Sequence, residues 1–482
     1  MKLRTIALGF LLKAPFFTRA QSTPPIVLQL GANVTLPVGA SQCALALADF
    51  NADNRTDMAV CEQGLNQIGV FLQTAAGTFP IQTGTYPAGT SPSGVVAARL
   101  TNQPGRPVAD LVAVSSPSYK WTMLLNDSNG QGTFTELAGV RGFGTSQMST
   151  NPQLVSAFIN RDTYSDFAYT YPSPNQNRVK WDAYAGAGQF SSTSYYEPPF
   201  TPTSLALDDF DRDGFMDVAF TNTAGNEIWV VIAAQGSAGN PLWLNVPAIQ
   251  FSSIGQQPVQ VATGDVNGDL RPDLAIAYAG SNYAAVFLNT GGPTPFSAPS
   301  IYPLSAPARK VLLEDLNGDG NPELLAITSD NKLQVFQHTG APGSSRYGTA
   351  QTIATGINPT ILQAADMDAD FVKDIVVSCL GDNTVRIYLN RSLAQPTATQ
   401  TAQLRGVNVF PNPATDQLFI RSIKPNEGSL KATLIDALGR IVREQEVEPN
   451  ASAIAVADLP RGWYLLRLSG KQGSCVLRVV LQ

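Results

Sequence analysis

Five segments of the chain place oxygen-bearing side chains at the same alternate positions. ALADFNADNRTDMAV, ALDDFDRDGFMDVAF, ATGDVNGDLRPDLAI, LLEDLNGDGNPELLA and QAADMDADFVKDIVV align without gaps on the pattern D-x-[DN]-x-D-x-x-x-[DE]. The pattern supplies Asp49, Asn51, Asp53 and Asp57 in the first segment, then Asp209, Asp211, Asp213 and Asp217, and next Asp265, Asn267, Asp269 and Asp273. The last two segments carry Asp315, Asn317, Asp319 and Glu323, and Asp366, Asp368, Asp370 and Asp374. Three or four carboxylates within nine residues repel one another unless a cation neutralises them. Alternate positions of a tight turn converge on one point, and Ca2+ takes six to eight oxygens at about 2.3–2.6 Å. Position 7 would add a backbone carbonyl, from Arg55, Phe215, Arg271, Asn321 and Val372. For any single copy, an Asx turn capping a hairpin is the alternative. Five copies in register favour the ion, in a stiffening rather than a catalytic role, because filled ligand positions leave little room for a substrate.

The elements that carry these loops follow from their spacing. Intervals of 56, 50 and 51 residues separate Asp209, Asp265, Asp315 and Asp366, and the 160 residues between Asp49 and Asp209 leave room for two more units. Both are present in eroded form. SAFINRDTYSDFAYT keeps Asn160, Asp162 and Asp166 but has Phe158 in first place, while AARLTNQPGRPVADLVAV keeps only Asp110. Five intact loops and one half-formed one give an expectation of five or six ions. After each loop, short runs rich in Ala, Val, Ile, Phe and Tyr alternate with Gly, Asn, Pro and Ser clusters, the pattern of four strands joined by hairpin-length turns. Seven such units predict an all-β chain built on a seven-bladed β-propeller. The seventh unit stops after its third strand, VRIYLN, so residues ~25–41 are expected to supply the missing strand and close the ring.

These units resemble FG-GAP/VCBS-type repeats, the calcium-loop propeller units also found in the head of integrin α chains, although that family's Phe-Gly and Gly-Ala-Pro signatures are not preserved. Beyond a Thr/Gln/Ala-rich linker, residues 393–406, short period-two strands predict a small β-sandwich over 407–482. This segment resembles the type A C-terminal sorting domain of the type IX secretion system, through Phe410-Pro411-Asn412-Pro413, Asp436-Ala437-Leu438-Gly439-Arg440 and Gly462-Trp463-Tyr464. The resemblance implies passage across the outer membrane of a Gram-negative bacterium, with the secretion machinery as partner and the sorting domain either cleaved or left as an attachment. Residues 1–20 read as a secretory signal peptide, weakened by Lys13, which leaves the propeller as residues 21–392. No other stretch approaches the ~18 apolar residues of a membrane helix.

Composition narrows the chemistry. A net charge of −6 without a basic run gives no footprint for nucleic acid. Residues 21–406 alone hold 18 basic and 30 acidic residues, an excess that five or six divalent ions would nearly cancel. A single histidine, His338, removes most Ser-His-Asp, Cys-His and His-metal arrangements, and its place after a third-strand pattern reads as surface. Cys43 and Cys61 are expected on neighbouring strands, as a disulfide or as two buried thiols. No catalytic constellation emerges, so a binding or adhesion module for a glycan or protein is the leading reading. A calcium-dependent lyase or glycosidase on the same scaffold is the alternative. On the face opposite the carboxylate loops, Asn66, Tyr119, Tyr171, Asn226, Asn282, Tyr283, Asn331 and Asn383 are candidate ligand contacts, with Asn as a plain hairpin-turn residue the competing reading.

Overall fold

The computed structural model describes residues 25–481 apart from single positions and short segments, the longest being 102–107, 139–152, 340–346, 393–406, 423–428 and 436–440. The predicted signal peptide and linker lie outside the described residues. The chain divides into two compact units, Met1–Leu393 and Ala394–Gln482.

Among its described residues the first unit contains seven four-stranded antiparallel sheets, here called blades 1 to 7. Second strands, such as Asp217–Asn222, Asp273–Tyr278, Glu323–Thr328 and Asp374–Cys379, are buried at every residue. Each has a hydrogen-bonded strand on both edges and a neighbouring blade on both faces, which is why these segments read as unbroken apolar runs rather than as alternating ones. Outer strands alternate, as Gly84–Pro87 does in blade 1.

Seven apolar clusters join the blades in order. One holds Phe50 and Ala59 of blade 1 against Leu111 and Phe134 of blade 2. At the other end of the sequence, Met367, Val376 and Ile387 of blade 7 pack with Leu45, Met58 and Phe71 of blade 1, so the ring is closed. The closing strand is Leu28–Thr35, antiparallel to Thr384–Asn390, with Leu28 opposite Asn390 and Thr35 opposite Thr384. The N-terminal segment therefore completes blade 7 as expected.

Blade 4 carries an addition that the sequence does not announce. Between its third strand, Glu227–Val231, and its fourth, Ala248–Ser252, a ribbon pairs Ala234–Gln235 with Pro241–Leu242. It buries Trp243, whose backbone N–H donates to Ser194 Oγ of blade 3 at 2.9 Å.

The second unit is a sandwich of a three-stranded and a four-stranded sheet. Leu418 and Ile420 from one sheet and Leu434, Leu466 and Val479 from the other share its core. This agrees with the expected small sandwich.

Candidate metal centres

Each intact loop joins the first strand of a blade to its second. The position-1 carboxylate organises the turn. Asp315 Oδ1 accepts the N–H of Asn317 (3.2 Å) and Gly318 (2.7 Å), and Oδ2 accepts that of Gly320 (2.9 Å). Asp49 and Asp265 do the same with Ala52 and Asn54, and with Gly268 and Leu270. These N–H groups converge because positions 4 and 6 are left-handed, at φ 72° and 86° for Gly318 and Gly320. Leu270 (φ 67°), Arg212 (65°) and Ala52 (63°) are held in the same conformation without glycine's freedom, so the loops store backbone strain. Position 5 caps position 7: Asp213, Asp269, Asp319 and Asp370 each accept the N–H of Phe215, Arg271, Asn321 and Val372 at 2.8–2.9 Å. The Asx turn and the oxygen cluster are thus one arrangement, since a carboxylate oxygen that accepts a backbone N–H keeps a second lone pair.

The last carboxylate of the pattern is different in kind. It opens the fully buried second strand and bridges two other segments. Asp217 accepts the N–H of Phe210 (2.8 Å) and of Ala233, two residues beyond the third strand (2.7 Å). Asp57 binds Phe50 and Gln73, Asp273 binds Val266 and Asn289, and Asp374 binds Met367 and Asn390 in the same way. Glu323 accepts the Leu316 N–H at 2.8 Å and the Asn317 amide at 3.1 Å. Burial pushes these carboxyls up, to about 6 at Asp57, about 7 at Asp273 and Asp374, and about 8 at Asp217 and Glu323. The backbone N–H donors oppose the shift, and the neighbouring loop carboxylates add to it.

In blade 4, oxygens of Asp209, Asp211 and Asp217 lie within 4.8 Å of one another, and in blade 7 those of Asp366, Asp368 and Asp374 do the same. Oxygens on opposite sides of a Ca2+ ion stand about twice the ~2.4 Å coordination distance apart, so the donor set fits a hard divalent cation. Blades 1, 5 and 6 put Asn51, Asn267 and Asn317 in the third position, where one amide oxygen replaces a carboxylate.

The eroded units show what happens without a complete set. In blade 3, where Phe158 replaces the first carboxylate, Asp166 Oδ2 takes over the N–H of Asn160 as well as that of Ile159, both at 3.0 Å. Asn160 still bonds Asp162 through its amide at 2.9 Å. In blade 2, Asp110 alone survives and makes the same bridge, to Leu100 (2.9 Å) and Asn126 (2.8 Å). The bridge is therefore present in a unit that has lost the rest of the pattern.

The opposite face places the other sequence candidates as follows. Asn66, Asn226, Asn331 and Asn383 adopt left-handed φ between 53° and 64° at the turns between second and third strands. Asn66, Asn226 and Asn331 use Oδ1 to accept the N–H of Ser91, Gln257 and Asn358, and Asn383 donates to the carbonyls of Leu36 and Pro37. They are hairpin-turn residues tied to the next loop. Tyr171 is buried, correcting its placement as a surface contact. Tyr283 donates to the Ile254 carbonyl, Asn282 is exposed, and Tyr119 lies outside the described residues. His338 is also corrected: it is buried, edge-on to Tyr347 with ring centroids 5.4 Å apart. Cys43 and Cys61 occupy neighbouring strands as free thiols, with Cys43 Sγ directed at the carbonyls of Pro92 and Cys61.

Sequence reasoning missed a set of buried amides at or just past the end of the third strand. Asn126, Asn289 and Asn390 donate to the carbonyls of Phe50, Phe210 and Leu316 in the preceding blade, at 2.7–2.8 Å. The recurring LLN, FLN and YLN were the available signal.

Comparison with known proteins supports both units. An FG-GAP-like repeat matches residues 209–276, 265–326 and 315–377, each match beginning at the first aspartate of a loop, and a secretion system C-terminal sorting domain matches residues 408–482. No curated protein matches the chain by sequence. The fold is similar to that of BBS1N, crystallised in complex with ARL6DN and soaked with mercury, at TM-score 0.51 and 9% identity over 78% of this chain and 99% of that one. The lead-soaked form of the same complex gives 0.48 at 10% identity over 77% and 98%, and Sqt1 of Saccharomyces cerevisiae gives 0.42 at 10% over 77% and 99%. The sorting domain indicates export by type IX secretion to the cell surface or the extracellular space. The chain is thus a β-propeller carrying FG-GAP-like repeats, followed by a C-terminal domain that sorts it for secretion.

Proposed function

We propose that the mature protein is a calcium-binding β-propeller that works outside a Gram-negative cell as a binding or adhesion module for a glycan or protein ligand. The observation that carries the calcium reading is the gathering of Asp209, Asp211 and Asp217 oxygens within 4.8 Å, one of them from a fully buried residue. Residues 49–57, 265–273, 315–323 and 366–374 repeat the pattern, which gives five sites, with the blade 3 loop of Asn160, Asp162 and Asp166 as a sixth. The ion would neutralise the carboxylates and stiffen the first hairpin of each blade. Isothermal titration of metal-stripped protein tests this directly; a flat isotherm would overturn it.

The binding role is supported by the combination of a repeat propeller with an export signal, and by the structural employment of the clustered acids, which hold turns and bridge strands. Such a module presents its loops as a rigid surface once the blades are stiffened. A glycan array probed with the purified mature chain, with and without calcium, is the test, followed by product analysis on every hit. Calcium-dependent retention of intact oligosaccharide is the expected result. Shortened products would replace the module reading with a polysaccharide-degrading one.

A further inference from the structure

The five intact loops share a pattern but not an electrostatic environment. In blade 7 the guanidinium of Arg391, one residue past the third strand, reaches back into the loop. Its Nη1 stands 2.5 Å from Asp368 Oδ2 and 3.4 Å from Asp370 Oδ2. The Asp368 side chain is only 6% exposed, so this ion pair lies inside the cluster rather than over it. Blade 1 has a related arrangement, with Arg55 Nη2 2.5 Å from Asp53 Oδ2 and its Nε on the Gln73 carbonyl. In blade 4, by contrast, Asp209, Asp211 and Asp217 form no ion pair among the described residues.

Resting on the calcium reading above, we propose that Arg391 is the resident counter-ion of the seventh loop, and that it sets the calcium affinity of that loop below that of the fourth. The guanidinium charge beside Asp368 and Asp370 offsets part of the negative charge that draws a divalent ion into the loop, while Asp368 Oδ1, buried and without a hydrogen-bond partner, stays open to it. The cost falls on affinity, since the ion enters against a cation that already stands at hydrogen-bond distance from two of its ligands. Without metal, Arg391 offsets the repulsion among Asp366, Asp368 and Asp370. The seventh loop also adjoins the ring closure, because the Arg391 N–H donates to the Val27 carbonyl at 2.7 Å, beside the closing strand. A loop that keeps its own cation there holds the closure together whether or not calcium is bound.

The test is titration calorimetry on metal-stripped, full-length mature protein, comparing the parent with Arg391→Gln and Arg391→Lys, alongside thermal unfolding in chelator. Removing one charge at hydrogen-bond distance from two ligands is expected to tighten one class of site by about tenfold. Arg391→Gln is also expected to lower the unfolding temperature in chelator and to recover it in calcium. Arg391→Lys, which keeps the charge without the planar fork, should fall between, and serves if the Gln variant fails to fold. Parent protein that binds calcium while Arg391→Gln gives an unchanged or weaker isotherm overturns this inference alone. Parent protein that binds none overturns the calcium reading with it.

Discussion

The side-chain amide of Gln73 donates to the backbone carbonyl of Met367 at 2.6 Å, across 294 positions of sequence. Gln73 lies two residues past the third strand of blade 1, and Met367 follows the first aspartate of the blade 7 loop. The same pair of positions is joined by Asn126 to Phe50, Asn289 to Phe210 and Asn390 to Leu316. The contact that closes the ring is thus a repeat of the contact that joins consecutive blades. His338 takes the corresponding place in blade 6, which explains why the only histidine is buried.

Asn289→Ala removes the donor and leaves the Phe210 carbonyl buried without it. An orphaned buried carbonyl costs about 1–3 kcal/mol, so urea unfolding of this variant should shift to lower denaturant by that amount with an unchanged slope. Unchanged stability would mean that water replaces the amide.

Asp110 separates the structural duty of the final carboxylate from any metal. Its loop has lost the other pattern residues, yet it still bridges Leu100 and Asn126. Asp110→Asn leaves one acceptor where two N–H groups need oxygens and directs an NH2 at one of them, a loss of about 2 kcal/mol. The destabilisation should be equal in calcium and in chelator. For Asp217→Asn in blade 4 the loss should be larger in calcium, because a ligand goes with it.

Buried carboxyls raised to about 6–8 at Asp57, Asp217, Asp273, Glu323 and Asp374 give the metal-free protein an unusual pH response. A carboxyl whose folded pKa exceeds its unfolded one favours the folded state fully below the unfolded value, and that advantage is lost as pH rises through the folded value. In chelator, the unfolding temperature should therefore fall between about pH 4 and pH 8. Calcium requires the ionised form, so its stabilising increment should grow over the same interval. Differential scanning fluorimetry across pH, with chelator or with excess calcium, checks both slopes.

The repeat was legible because its two signals, spaced carboxylates and alternating strand-turn clusters, are local. Asp49, Asp209, Asp265, Asp315 and Asp366 declare the loops, and the truncated seventh unit declares the closing strand. What was not legible depends on partners distant in sequence. The roles of Arg391 and the buried amides, and the burial of Tyr171 and His338, follow from which blade lies beside which. Trp243 and its ribbon escaped notice because the insertion breaks the period instead of extending it. The asparagines of the opposite face were legible as turn residues, but the partners that occupy them, N–H groups at Asn66, Asn226 and Asn331 and carbonyls at Asn383, belong to the next loop.

Val34 probes the closure itself. It is buried between blades 7 and 1 and pairs with Val385. Val34→Asp places an unpaired charge in that interface, at a cost of several kcal/mol, while leaving the other six inter-blade clusters intact. Limited proteolysis should then cut the variant first near residues 25–41, at protease levels that leave the parent whole. Simultaneous loss of all fragments would mean that the ring unfolds as one unit.

Asn226 decides between turn and ligand contact on the face opposite the loops. At φ 56° it holds a left-handed position, and its Oδ1 accepts the Gln257 N–H at 2.6 Å. Glycine adopts that conformation without strain, whereas alanine does not, at a cost of about 1 kcal/mol. If the residue serves the turn, Asn226→Gly should melt close to the parent and below it only by the lost hydrogen bond. Asn226→Ala should melt lower still, and both variants should keep whatever ligand the array identifies. If the amide serves the ligand, both substitutions abolish binding equally while their melting temperatures still differ. Binding and melting measured on the same two proteins therefore separate the roles, because conformational strain distinguishes glycine from alanine and a missing amide does not.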